Sequence, residues 1–150
     1  MPISLKESLA RKKDLPRSDE IIRCRAELLP RADRDLIEAV LIHGHPTRSL
    51  ARMMGTTPRA VRDRARRLAR RLVSKRFLYV ARALPYLSPQ DSELAKRYFC
   101  QGATHRQLCG EVGMTLHALR RRLDRIAAQV ETVRRLNASS RMMQRRPQDA

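Results

Sequence analysis

Aromatic side chains are nearly missing from this chain: it has no Trp, two Phe and three Tyr in 150 residues. Any core must then be built from Leu, Ile, Val, Ala and Met. Strands favour aromatic and β-branched residues, so a small aliphatic core suits short helices better than a sheet. No stretch of four or more residues alternates cleanly enough to be read as a strand. The fold class expected is all-α.

Cysteine is scarce and odd in number. Cys24, Cys100 and Cys109 form no C-x-x-C pair, which argues against a disulfide framework and for reduced thiols in a cytoplasmic protein. No apolar run approaches membrane-spanning length, and the N-terminus lacks the apolar block of a signal peptide. His43 and His45 flank a glycine without Cys or carboxylate at metal spacing. No nucleophile motif occurs either, so no metal, no cofactor and no catalysis are expected.

Acidic residues are also few. Fifteen Asp or Glu stand against 33 Lys or Arg, leaving a formal charge of +18. Such an excess favours a polyanionic partner. Arg greatly outnumbers Lys, and Arg forms paired hydrogen bonds to phosphates and guanines that Lys cannot. Nucleic acid is therefore the expected partner. A membrane surface is not, because an interfacial helix needs bulky apolar residues opposite its basic face.

What is present is a duplication. Residues 29–72, moved along by 58 positions onto 87–130, match at 13 of 44 pairs without a gap. Among the matched pairs are Leu36/Leu94, Gly44/Gly102, Arg48/Arg106, Gly55/Gly113, Thr57/Thr115, Arg62/Arg120 and Arg67/Arg125. Turn glycines, apolar positions and arginines thus recur together, which is the signature of a repeated structural unit.

Local signals divide the chain. Residues 1–17 are a basic N-terminal segment. Ser18, with Asp19 and Glu20 behind it, starts a helix that should run to about Leu29 and stop at Pro30. In the first repeat Leu36, Ile37, Val40 and Leu41 have helical spacing, and Gly44 ends that helix. A short helix follows from about Thr47 to Met53. Gly55 makes a tight turn, and Thr57 caps a third helix with Pro58 in its first turn.

That helix meets no stop signal before Pro85, so it is read as one element of roughly 28 residues and about 40 Å. Its apolar seam changes midway. Val61, Ala65, Leu68 and Leu72 form one line; Val73, Phe77, Val80 and Leu84 form another, shifted by one residue.

In the second repeat Ser88, Pro89 and Asp91 open the first helix. Leu94, Tyr98 and Phe99 supply its core and Gly102 ends it. A short helix spans about Thr104 to Val112, Gly113 turns the chain, and Thr115 caps the last helix. Its seam is Leu116, Leu119, Leu123, Ile126, Val130 and Val133. The expected organisation is a first domain at 18–84, a second at 85–136 and a disordered basic tail at 137–150.

Each repeat is a helix, a short helix, a glycine turn and a long basic helix. This is the pattern of a helix-turn-helix unit, whose second helix enters the major groove. Ala51 or Cys109 stands four residues before the turn glycine, where two helices cross closely. Val61 or Leu119 stands six after it as an anchor.

LP-x-x-x-R at 29–34, Gly44, Leu50-Ala51, Met54-Gly55 and Val61-Arg62-x-Arg64-x-x-Arg67 resemble region 4 of sigma-70-family sigma factors, their promoter −35-binding domain. Leu108 to Arg125 looks like a looser copy. The resemblance covers about 90 residues. It implies −35-like duplex binding and contact with RNA polymerase or another DNA-bound protein. It does not imply promoter opening, because no aromatic-rich melting domain is present.

The exposed start of a recognition helix reaches base edges while its flanks touch phosphate. In the first repeat this places Thr57, Arg59, Arg62 and Asp63 near bases, with Arg48, Arg66 and Arg67 on phosphates. In the second it places Thr115, His117, Arg120 and Arg121 near bases, with Arg106 and Arg125 on phosphates. Arg64 and Arg122 have another use open to them: bonding helix-end carbonyls, or Asp33 and Asp91.

The function expected is a sequence-specific, double-stranded-DNA-binding transcription regulator. Three alternatives stay open: a DNA-binding adaptor in recombination or genome packaging, a structured-RNA binder, and use of one repeat as a protein-interaction module.

Overall fold

The computed structural model describes residues 19–144. The segment at 1–17, the Ser18 helix start and residues 145–150 lie outside the described residues. All regular structure among the described residues is helical, and the fold is all-α. The chain divides into two compact units between Phe77 and Leu78, seven residues before the 84/85 boundary read from sequence.

The first unit begins with α1 (Asp19–Ala26). It is shorter than expected because its end tightens: the Leu28 and Leu29 amides donate to the Arg25 and Ala26 carbonyls three residues back, as frayed helix ends often do. Helix α2 (Arg31–Ile37) follows Pro30 and widens into a π turn at Glu38–Ile42. Gly44 ends it at a φ of +66°. Helix α3 (Thr47–Met54) and helix α4 (Pro58–Val73) are joined by a tight turn at Gly55.

The core is aliphatic, as the composition requires. Leu36, Ile37, Val40 and Leu41 pack inward with Leu50, Ala51, Val61, Ala65, Leu68 and Leu72, all buried. Each large aliphatic so buried contributes roughly 1.5–3 kcal/mol. Arg25 on α1 donates from Nη1 to the Leu72 carbonyl at 3.1 Å, tying the first helix to the end of α4.

The single long helix expected from Thr57 to Leu84 is two helices. Ser74 is extended, with φ −66° and ψ 139°. Its hydroxyl donates to the Arg71 carbonyl at 2.9 Å and accepts from the Phe77 amide at 3.1 Å. Ser74 thus closes α4 and caps α5 (Lys75–Ala83) in one residue. The one-residue shift in the apolar seam marks this break. Leu72 is buried before it, Phe77 and Val80 after it.

In the second unit a 3₁₀ turn at Leu84–Tyr86 leads to α6 (Pro89–Ala95), and that helix again widens into a π turn, at Lys96–Cys100. Helix α7 (His105–Val112) and helix α8 (Leu116–Gln144) follow. The Thr104 hydroxyl accepts from the Gln107 amide while the Gln107 side chain bonds back to the Thr104 amide, a full capping box. Leu94, Leu108, Leu119, Leu123, Ile126 and Val130 are buried.

Two expectations fail here. Leu116, assigned to the seam, is 44% exposed, because it sits in the first turn of α8 ahead of the packed stretch. Residues 137–144, assigned to a disordered tail, continue α8. Arg134 and Arg135 both bond Glu131, and the Ser139 and Ser140 hydroxyls bond carbonyls four residues back. Charge pairs such as those on Glu131 add local support to the helix.

The duplication is preserved in the backbone. α2, its π turn, α3 and the start of α4 reappear as α6, its π turn, α7 and the start of α8, each displaced by 58 residues. Cys24 is exposed, Cys100 buried and Cys109 half-buried.

Candidate nucleic-acid interface

Gly55 and Gly113 set the start of α4 and α8. Their φ angles are +63° and +67°, the left-handed region in which glycine alone carries no Cβ penalty. At Gly55 the Thr56 amide donates to the Ala51 carbonyl at 2.9 Å and the Gly55 amide to that of Arg52 at 3.4 Å, a Schellman ending. At Gly113 one bond, to the Cys109 carbonyl at 3.0 Å, does the same work. Two residues on, the Thr57 and Thr115 hydroxyls each accept from the third following amide, at 3.2 Å. Both threonines assigned to bases are therefore helix caps. They remain exposed, with the hydroxyl proton uncommitted to the cap.

An α-helix turns about 100° per residue. On α4 this gathers Arg59, Arg62, Asp63, Arg66 and Arg70 within an arc of about 100°, opposite the buried line of Val61, Ala65, Leu68 and Leu72. All five face solvent fully or in part. Arg67 flanks the stripe, and Arg48 is exposed on α3. Arg70 was not singled out from sequence; its spacing of four from Arg66 places it there. Asp63 lies 3.9 Å from Arg59 one turn back. Among the described residues, no hydrogen bond or ion pair engages Arg48, Arg62, Arg66, Arg67 or Arg70.

The same arc on α8 holds His117, Arg120, Arg121, Asp124 and Ala128, with Arg125 flanking and Arg106 exposed on α7. Among the described residues, Arg106, Arg120 and Arg121 have no hydrogen bond or ion pair. Each unit thus brings its assigned residues to one exposed helix face and the neighbouring short helix.

Arg64 and Arg122 are committed elsewhere. Arg64 donates from Nε and Nη2 to Asp33 Oδ1, at 2.9 and 2.5 Å. Arg122 donates from Nε to Asp91 Oδ1 at 2.7 Å and from Nη2 to Gln90 at 3.3 Å. Of the uses open to these arginines, the structure has the bond to aspartate. Partial burial would raise the Asp91 carboxyl. Hydrogen bonds from Arg122 and Ser88, with the charges of Arg122 and Arg125, outweigh that and hold it below its ordinary value. On α8, hydrogen bonds from Arg134 and Arg135 outweigh desolvation and bring Glu131 down to about 2.

A groove of about 760 Å³ opens in the second unit over Leu94, Leu108, Val112 and Met114. The charges along it are already paired: Arg97 with Glu111, Arg122 with Asp91, Glu93 with Lys96. Among the described residues, no group of three His, Cys, Asp or Glu could hold a metal ion. No helix among them is long and apolar enough to cross a membrane. Compared with known proteins, the chain matches no family model, no curated protein and no solved structure.

Proposed function

We propose that the chain binds double-stranded DNA sequence-specifically and regulates transcription, each unit acting as a helix-turn-helix module. One observation carries this reading: Arg62, Arg66 and Arg70, exposed and unpaired among the described residues, line the solvent face of the helix that follows the Gly55 turn. Unpaired surface charge of one sign repels itself, and phosphate oxygens offer the hydrogen-bond acceptors that the protein does not supply.

The shape of each unit supports the same reading. A short helix, a tight glycine turn and a longer capped helix present a protruding face the width of a helix, which a major groove of about 12 Å admits. A deep, narrow RNA groove does not admit it. The sigma region 4 resemblance adds −35-like duplex binding and contact with RNA polymerase to the proposal.

The test is a competition. The full chain, bound to a labelled random-sequence duplex, is challenged with unlabelled duplex DNA and hairpin RNA of equal length. Stronger displacement by duplex DNA supports the reading. Stronger displacement by hairpin RNA replaces it with a structured-RNA function.

A further inference from the structure

From the first repeated helix to the start of α4 and α8 the helix bounds of the two units correspond at a displacement of 58 residues, yet their solvent faces carry different chemistry. Counted from the turn glycine, position seven is Arg in both, Arg62 and Arg120. Position four is Arg59 against His117. Position eight is Asp63 against Arg121, position eleven Arg66 against Asp124, and position fifteen Arg70 against Ala128. The apolar positions between them stay apolar: Val61 against Leu119 and Leu68 against Ile126, all buried. Other buried positions also change, Ala65 against Leu123 among them, but they too stay apolar, whereas on the exposed face the charge itself changes, where it serves no packing need.

Position eight is decisive. An ionised Asp carries only acceptors; an Arg carries only donors. At the same place on the same scaffold, Asp63 suits the amino group of cytosine, and Arg121 suits the O6 and N7 of guanine. The cytosine amino group that satisfies Asp63 gives Arg121 no acceptor, and the O6 and N7 of guanine that satisfy Arg121 give Asp63 no donor. The pair at positions eight and eleven is also inverted in sign, acid then base in α4 and base then acid in α8.

We infer that the two units read different subsites, so that the DNA target is directional: two unlike blocks rather than a direct repeat or a palindrome. Asp63 and Arg121 are the specificity-determining residues, Asp63 selecting an amino-bearing base and Arg121 selecting guanine. The inference rests on both units being duplex readers.

The experiment is selection of bound sites from random duplex DNA by the full chain, repeated with Asp63→Arg and Arg121→Asp. Both positions are on the solvent side of their helices, and thermal melting of each variant checks that the fold is kept. The wild type should select two unlike blocks, one of them with a guanine in its major-groove edge. Arg121→Asp should change one base preference in that block alone, from guanine to an amino-bearing base, with roughly tenfold or greater loss on the wild-type site. Asp63→Arg should change the other block alone.

Duplex binding with two identical blocks, with a single block, or with no sequence preference overturns this inference and leaves duplex binding standing. So does a variant that weakens all sites equally without moving a preference. Failure to retain duplex DNA at all overturns the inference and the DNA-binding reading together.

Discussion

Arg122 Nε sits 2.7 Å from Asp91 Oδ1, joining the second turn of α8 to the first turn of α6. Arg64 and Asp33 make the same bond 58 residues upstream. The clamp fixes how the basic helix leaves each unit. The lower pair is the less accessible: the Arg122 and Asp91 side chains are 18% and 14% exposed, against 39% and 16% for Arg64 and Asp33. Arg122→Ala is expected to cost about 1–2 kcal/mol, as for a hydrogen bond to a charged group with little screening. Arg64→Ala should cost about half as much, because solvent screens a more open pair. Urea denaturation of both variants at pH 7 checks the order.

The clamp also carries a pH dependence. The Asp91 carboxyl is held below 3.8 in the folded unit. A depressed acid stabilises the fold above its unfolded value, and that contribution is lost as pH falls through the folded value. Melting temperature, followed from pH 6 down to pH 2, should therefore fall less steeply in Asp91→Asn than in the parent. Parallel curves would show that Asp91 contributes nothing to acid sensitivity.

Most of the backbone was legible from the repeat itself. Turn glycines, capping threonines and apolar spacing are local signals, and Gly55, Gly113, Thr57 and Thr115 do what their residue types dictate. The Ser74 break was not read as a stop, since neither Gly nor Pro stands there. Its two signals were present: a residue able to cap, and an apolar seam that slips by one position where the helix restarts. Polar composition alone points to disorder at 137–144, where α8 in fact continues. Glu131 with Arg134 and Arg135 is a set of neighbours that composition does not weigh. The π turns at Glu38–Ile42 and Lys96–Cys100 have no sequence sign that separates them from α-helix, because side-chain spacing differs little over five residues. At the candidate interface the charged face was legible as spacing and the caps at Thr57 and Thr115 as residue type, whereas the commitment of Arg64 and Arg122 to Asp33 and Asp91 needed hydrogen-bond geometry.

Ser74→Ala should lower stability by about 1 kcal/mol, the usual cost of a lost cap. Ala is also the strongest helix former, so the far-ultraviolet helical signal should hold or rise while the melting temperature falls. A variant as stable as the parent would remove Ser74 as the cause of the break.

Two glycine substitutions should move in opposite directions. Gly55→Ala forces a Cβ into a φ of +63° and is expected to cost about 1–2 kcal/mol, although nothing lies within 4 Å of the new atom. Gly110→Ala lies within α7, is exposed and also meets nothing within 4 Å. It should stabilise by about 0.5–1 kcal/mol through helix propensity. Thermal melting of the pair separates backbone strain from crowding.

Arg62 and Arg120 occupy the same place on the two helices, and Arg62→Ala and Arg120→Ala should each weaken duplex binding by about 1–3 kcal/mol if both read bases. Equilibrium titration on a selected site checks both. Loss in Arg62→Ala alone would restrict base reading to the first unit.

The most direct measurement is the salt dependence of duplex affinity for the full chain. About eight to ten phosphate contacts shared by the two units release counterions in proportion, giving a slope of log affinity against log salt of roughly −7 to −9. A slope near roughly −2 would leave two or three phosphate contacts in all, too few for two units on one duplex, and would contradict tandem binding.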